Sequence, residues 1–207
     1  MDSSSPPDRR LFIQSEQWFH RVHAALLGTL PCRQGCSRCC IGPFAITILD
    51  VAELQRGLPT LPKQARLDIE SRARAQIAAF EPAHPRLKAT PFLDDWPDSE
   101  VDQLATEFAK FPCPALDANG SCRVYPFRPL ACRTMGIPTE TNGLVHGACG
   151  IQTSTPLIRP SRAVREQEER LAEQEAVEIE RLREARPRSG EEVLLAYGFL
   201  ADRAAMT

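Results

Sequence analysis

Residues 32–40 read CRQGCSRCC and place four thiols, Cys32, Cys36, Cys39 and Cys40, within nine positions. Thiolates are soft ligands suited to zinc, copper(I) and iron–sulfur clusters, so the run has the character of half a metal site. Gly35 lets the backbone curl there, with amides turned toward sulfur. The other half has to come from far along the chain. Cys113, Cys122, Cys132 and Cys149 lie in a second stretch rich in proline and glycine. A fold that joins the two stretches is the first expectation, and eight thiols suffice for two four-ligand sites or for one with cysteines to spare.

The composition bounds the rest. A chain of 207 residues can form one domain with a substantial core. Its 25 basic and 27 acidic side chains leave a formal net charge of -2, which points to no nucleic-acid partner and no attraction to a membrane surface. No apolar run approaches the roughly 18 residues of a bilayer span, and the opening MDSSSPPDRR lacks the apolar stretch of a signal peptide. The expected compartment is the cytoplasm. Thiols are kept reduced there, so eight closely spaced cysteines are better explained by metal binding or redox chemistry than by disulfides.

Upstream of the cluster, Trp18, Phe19, Val22, Leu26 and Leu30 recur at helical spacing and predict a helix over 14–30, after a disordered leader. His20 and His23 share that helix and read as solvated or hydrogen-bonded, because no zinc-type cysteine spacing includes them. Downstream, Phe44, Ile46 and Ile48 alternate as in a short extended piece. Asp50 with Glu53 resembles a capping box, Leu49 with Leu54 a hydrophobic staple, and Gly57 a C-cap. Pro62 is placed to open a helix whose stripe Ile69, Ala73, Ile77 and Phe80 is packing. Residues 81–99, with His84 and Trp96, read as a surface connection, and Val101, Leu104, Ala105 and Phe108 predict a helix over 100–110.

From Cys113 the chain reads CPALDANGSCRVYPFRPLACR. Asn119-Gly120 predicts a small hairpin carrying Cys113 and Cys122, and Pro129 a helical turn bearing Cys132. Asn142-Gly143 predicts a second hairpin that returns His146 and Cys149 toward the cluster. Small hairpins are marginal in water unless something such as a metal ties them together. After Pro160 a run dense in Glu and Arg predicts a long charged helix with pairs at spacings of three or four, each worth about 0.2–0.5 kcal/mol. It is read as solvated, with a protein partner as the alternative, and residues 191–205 as a short terminal helix on the core.

Spacing narrows the chemistry. Cys36-x2-Cys39 with Cys122 or Cys132 suits a zinc tetrathiolate, while adjacent Cys39 and Cys40 tend to diverge and leave one for a second metal, for a hydrogen bond to the site or as a buried free thiol. Cys32-x3-Cys36-x2-Cys39 also matches the triplet that holds a [4Fe–4S] cluster in radical S-adenosylmethionine enzymes. The strand–helix alternation of those enzymes and the aromatic residue before their third cysteine, where Arg38 stands, are missing. A thiolate-bound metal carries net negative charge, and Arg128 and Arg133, flanking Cys132, are the candidate partners to donate to its sulfurs. Arg38 and Arg123 also neighbour cysteines. His146 is a candidate substitute ligand.

CRQGCSRCC, CPAL from Cys113, CRVYPFRPLACR from Cys122 to Arg133 and the late Cys149 together resemble the cysteine-cluster family of zinc- or iron-chelating domain proteins of CxxCxxCC type. Its pattern continues with C-x-x-L, C-x-[IV]-Y, R-P and C-R. In this chain three residues separate Cys32 from Cys36 where the pattern has two. The resemblance implies metal chelation and names no reaction. The expectation is therefore an α+β fold, mostly helical, with small hairpins around the metal. A leader over 1–12, a metal-binding domain over 13–158 and a charged helical extension over 159–207 complete it. All eight cysteines are candidate ligands of zinc or iron, a [4Fe–4S] cluster included. A metal-dependent or radical modifying enzyme is the alternative, although no HExxH, Walker loop, GxGxxG or nucleophile elbow is present. An adaptor acting through the charged helix is the second alternative.

Overall fold

The computed structural model describes residues 9–25, 36–137, 139–141, 144–146, 161–186 and 190–200. It is mostly helical: α1 (Arg10–Ala25), α2 (Ile48–Gly57), α3 (Lys63–Ala83), α4 (Arg86–Ala89), α5 (Asp98–Glu107), α6 (Leu130–Thr134), α7 (Arg162–Ala185) and α8 (Leu195–Gly198). Two small sheets join them. β1 (Ala45–Thr47) pairs antiparallel with β4 (Glu192–Leu194), and β2 (Thr139–Thr141) with β3 (Leu144–His146). β2 and β3 pair where the second hairpin is expected, in register Thr139 to His146, and its Asn142-Gly143 turn and Cys149 lie outside the described residues.

α3 follows its sequence pattern closely. Pro62 precedes it, and Ile69, Ala73, Ile77 and Phe80 are the buried stripe. They pack with Leu104, Phe108 and the C-terminal Val193 to Leu200 in the main core. Residues 81–99 depart from the surface connection expected of them. Leu87, Leu93 and Trp96 are buried, α4 interrupts the stretch, and Phe92 bridges to Val193. Proline content obscured an apolar i, i+6, i+9 pattern that belongs to neither period.

The C-terminal segment enters the centre of this core. β4 sits against β1 with Ile46 opposite Val193, and Leu195 N–H donates to Phe44 O at 2.9 Å. Gly198 is closely approached: a Cβ there would stand 2.7 Å from Ile46 Cδ1 and would push the end of that side chain aside. Truncation after Pro160 would therefore remove core as well as the charged helix.

α1 begins at Arg10, earlier than the predicted start, because Leu11 and Phe12 are buried with Leu49 and Leu130. Leu26 and Leu30 lie outside the described residues. α2 also begins earlier than expected. Thr47 is its N-cap and Asp50 its third residue, each side chain bonding the other's backbone in a capping box at 3.3 Å. Leu49 and Leu54 form no staple and are divided between two apolar clusters. Gly57 ends α2 with φ -77°, so no left-handed cap is used; its hydrogen is needed because Phe127 lies against it.

α7 is the long charged helix, with Arg162–Glu166 and Arg181–Glu178 pairs at 2.7 and 2.8 Å. Its half-buried Leu171, Ile179 and Leu182 pack on the Leu11–Phe12–Leu49–Leu130 cluster, and Trp18 Nε1 donates to Val164 O at 3.2 Å. Between α1, α2, α6 and α7 a cavity of about 310 Å³ remains, bordered by Trp18, Asp50 and Glu175 among others. No described helix is long and apolar enough to cross a membrane.

Candidate metal centre

Two backbone hydrogen bonds splice the cysteine blocks together. Gly42 N–H donates to Phe111 O and Cys113 N–H to Cys40 O, both at 2.7 Å, with Ile41 paired to Pro112. Local sequence prepares the splice. Ser37 O accepts from Cys40 N–H at 2.9 Å to close a 3-10 turn over Arg38–Cys40, and Gly42 then takes φ +96°, which a side chain would disfavour.

The second block is shaped from α3. Arg72 Nη1 donates to Leu116 O and Gln76 Nε2 to Pro112 O, each at 2.6 Å, so the chain on both sides of Cys113 is held by one helix face. Asp117 Oδ1 accepts from the Asn119 and Ser121 amides at 2.8 Å, and Gly120 has φ +79°. The turn predicted from Asn119-Gly120 is therefore present, but the hairpin reduces to one bridge, Leu116 to Cys122. Val124, Tyr125 and Phe127 leave it at once, the last two within a 3-10 turn. α6 follows Pro129 as expected and carries Cys132. Its first amide, Leu130 N–H, donates to buried Asp50 Oδ1 at 2.8 Å, so the α2 cap also fixes α6.

The result brings Cys39 of the first block within electrostatic range of Cys113, Cys122 and Cys132 of the second. Cys113 feels the charge of Cys122 and Cys39, and Cys132 that of Cys113, Cys122 and Cys39. All six described cysteines are free thiols, Cys36 and Cys40 included. Cys32 and Cys149 lie outside the described residues, as does the side chain of His146 on β3. His20 is bonded to Glu16 at 2.9 Å and His23 stacks on Phe19.

Burial governs the acidity of these thiols. It pushes Cys113 up to about 12 and raises Cys122 and, further, Cys132. Cys39 is raised first by its hydrogen bond with Cys40 and then by burial. Bare thiolates are therefore disfavoured here, and a bound cation inverts that balance because a coordinating thiol is deprotonated outright. Among the described residues no three Cys, His, Asp or Glu side chains are gathered tightly enough to hold a metal ion as they stand. The thiols are neighbours and not yet a coordination polyhedron.

The surroundings fit a thiolate-bound zinc or iron. Arg128 is 5% exposed, and its charge acts on both Cys39 and Cys122, lowering each. Its Nη2 donates to Glu16 Oε1 at 2.9 Å and its guanidinium lies 3.8 Å over the Tyr125 ring, while Nε and Nη1 have no hydrogen-bond partner among the described residues. Soft donors with a buried cation beside them are what a negatively charged thiolate site requires. Arg133 has its donors on protein oxygens: Arg128 O at 3.0 Å, Pro126 O at 3.1 Å and Glu16 Oε2 at 2.5 Å. Arg123 pairs with Asp68 at 3.2 Å, and Arg38 is exposed.

Sequence reasoning did not find Glu16 or the α3 pair Arg72 and Gln76. Glu16 stands 112 and 117 positions from its arginines, so no local spacing could expose it. Asp50 was legible as a cap and not as the anchor of α6.

No curated protein and no solved structure matches the chain. Residues 31–150 match the family model CxxCxxCC, described as a putative zinc- or iron-chelating domain. That span covers more than half of the sequence and both cysteine blocks, and the chain belongs to the CxxCxxCC family.

Proposed function

We propose that this protein binds zinc or iron through thiolates drawn from both blocks. Cys39, Cys113, Cys122 and Cys132 are the central ligands, and Cys36, Cys40, Cys32 and Cys149 complete the set or hold a second metal. The observation that carries the reading is the backbone splice at 2.7 Å that joins Cys40 to Cys113, with Cys39 within electrostatic reach of Cys113, Cys122 and Cys132. Burial raises these thiols and leaves little free thiolate for nucleophilic chemistry, whereas a bound metal would itself draw off the protons, so chelation is favoured over thiol catalysis. The setting that suits reduced thiols is the cytoplasm.

Iron held as an iron–sulfur cluster is the finer form of the reading. Anaerobic purification tests both levels. Stoichiometric metal is expected, with broad visible absorption near roughly 400 nm for a thiolate-ligated cluster and no colour for zinc. Cys132→Ser and Cys39→Ser each strip the metal. Metal-free wild-type protein that is nonetheless fully folded would overturn the proposal.

A further inference from the structure

Chelation makes no use of the cavity of about 310 Å³ between α1, α2, α6 and α7. Its floor includes buried Ser15, Trp18 and Asp50, while Ala172 and Glu192 on its rim are exposed, so it is reached from solvent. One part of the lining is apolar, with Leu11, Trp18, Leu130 and Leu171. The other part is acidic: Asp50, Glu168, Glu175 and Glu192 border the space, and among the described residues no Lys, Arg or His does. A concave site of this volume, apolar with a few convergent polar groups, is the usual form of a small-molecule site.

The polar groups of the lining have acceptor capacity to spare. Ser15 is 3% exposed, borders the cavity and has no hydrogen-bond partner among the described residues. A buried hydroxyl left so is costly, and in a native structure it asks for an occupant. Asp50 takes one backbone amide on each oxygen, Leu130 N–H at 2.8 Å and Thr47 N–H at 3.3 Å, and each oxygen keeps a lone pair. Glu175 has no hydrogen bond or ion pair among the described residues, and burial with the charges of Asp50 and Glu192 raises it to about 7. A cation beside it would favour its ionised form.

From this geometry we infer that the cavity is a binding site for a small organic ammonium ion, with its apolar body against Leu11, Trp18, Leu130 and Leu171 and its charged head among Ser15, Asp50 and Glu175. The chemistry of the lining selects that class. An anion would meet only carboxyls. A purely apolar guest would leave the Ser15 hydroxyl and the carboxyls unpaired in a dry space. An inorganic cation lacks its cage, because among the described residues no three Cys, His, Asp or Glu side chains are gathered tightly enough to hold a metal ion. An alkyl- or arylalkyl-ammonium ion supplies three donors, one positive charge and an apolar body, and Trp18 adds an aromatic wall suited to it. This site goes beyond chelation and does not depend on it.

Four probes separate the classes: phenethylammonium, its neutral isostere phenethyl alcohol, phenylacetate and magnesium(II). Each is titrated into full-length protein purified anaerobically, and binding is read from the indole N–H resonance of Trp18, one of two tryptophans in the chain. Phenethylammonium is expected to bind saturably and about 10-fold or more tightly than the alcohol, as a charge-assisted hydrogen bond requires, and phenylacetate not at all. Glu175→Gln should weaken the ammonium by about 10-fold and leave the alcohol unchanged. Ala172→Phe, at the exposed rim, should block both. If Ala172→Phe disturbs packing, Glu175→Gln decides, since a merely structural change would weaken ammonium and alcohol alike. Equal affinity for ammonium and alcohol in the wild type overturns the inference, as does equal weakening of the two in Glu175→Gln or displacement of the ammonium by magnesium(II). No response to any probe, the result for a cavity that holds water only, overturns it too. Metal content is expected to be the same in wild type and both variants, so failure here leaves chelation standing.

Discussion

The face of the molecule built on α3 and the face that carries the cysteines are held by different forces. On α3, Ile69, Ala73 and Phe80 are 0% exposed, and Phe80, Phe108 and Phe111 stack with centroids 4.8 to 5.8 Å apart. Across residues 36–42 and 112–134 only Ala115 and Val124 enter that core, with Cys113 and Cys122 packed against it, and the rest of the interior is shared with thiols. Its course is set by two backbone bonds, by Arg72 and Gln76 reaching from α3, and by the Glu16–Arg128–Arg133 cluster. Apolar burial stabilises in proportion to area and needs no ligand. Single bridges and turns define a path but contribute little on their own. The α3 face therefore supplies a standing scaffold, and the cysteine face is expected to draw much of its stability from the proposed metal.

Chelation should separate the two faces most sharply. Stripping metal from anaerobic protein is expected to cost the cysteine face about 5 kcal/mol or more of local stability, because structural zinc sites in small domains supply roughly 10–16 kcal/mol that is folding free energy. Amide hydrogen exchange reads this directly: protection of the Cys113 and Gly42 amides collapses while that of the mid-α3 amides persists. Equal loss on both faces would mean one cooperative unit and would end the distinction. The converse change comes next in size. Phe80→Ala removes the centre of the aromatic cluster and should cost about 3–5 kcal/mol in denaturant unfolding. Metal per folded chain is expected to stay at the wild-type value, and its loss in folded variant would show that the scaffold cannot be perturbed apart from the site.

The same division governs what the sequence revealed. α3 was legible residue by residue, since its stripe repeats at helical spacing and Pro62 marks its start. The candidate ligands of the proposed site also stood out, because cysteine density is a chemical signal independent of fold. The pairing of β1 with β4 was not, as Ile46 and Val193 are far apart and each strand is three residues long. Burial of Leu87, Leu93 and Trp96 was hidden by a proline-rich setting that mimics a surface loop. Arg128 and Arg133 were singled out together from their place beside Cys132, yet only tertiary structure distinguishes them, through the carbonyl and carboxylate oxygens that occupy Arg133.

A third region, the cavity under α7, gives the smallest effect and the opposite pH sign from the metal site. Burial first, then the charges of Asp50 and Glu192, raise Glu175 from its ordinary range to about 7. Asp50 across the cavity is raised to about 6 by burial, against hydrogen bonds from Leu130 and Thr47 and the charge of Arg133. Glu168 also borders the space. A carboxyl whose folded pKa is raised binds its proton more tightly in the native state. Its stabilising contribution is thus complete below about pH 4.5 and is lost as pH rises through about 7. Metal affinity moves the other way, because protons compete with metal for thiolates as pH falls. Absolute stability therefore mixes the two, and the difference between wild type and Glu175→Gln isolates the cavity. Allowing for the partial exposure of Glu175, the variant should gain about 1–2 kcal/mol at pH 7.5 and at most about 0.4 kcal/mol at pH 4.5. A gain of equal size at both pH values would show that the effect is one of shape and not of charge, and that α7 rests on the body without an electrostatic penalty.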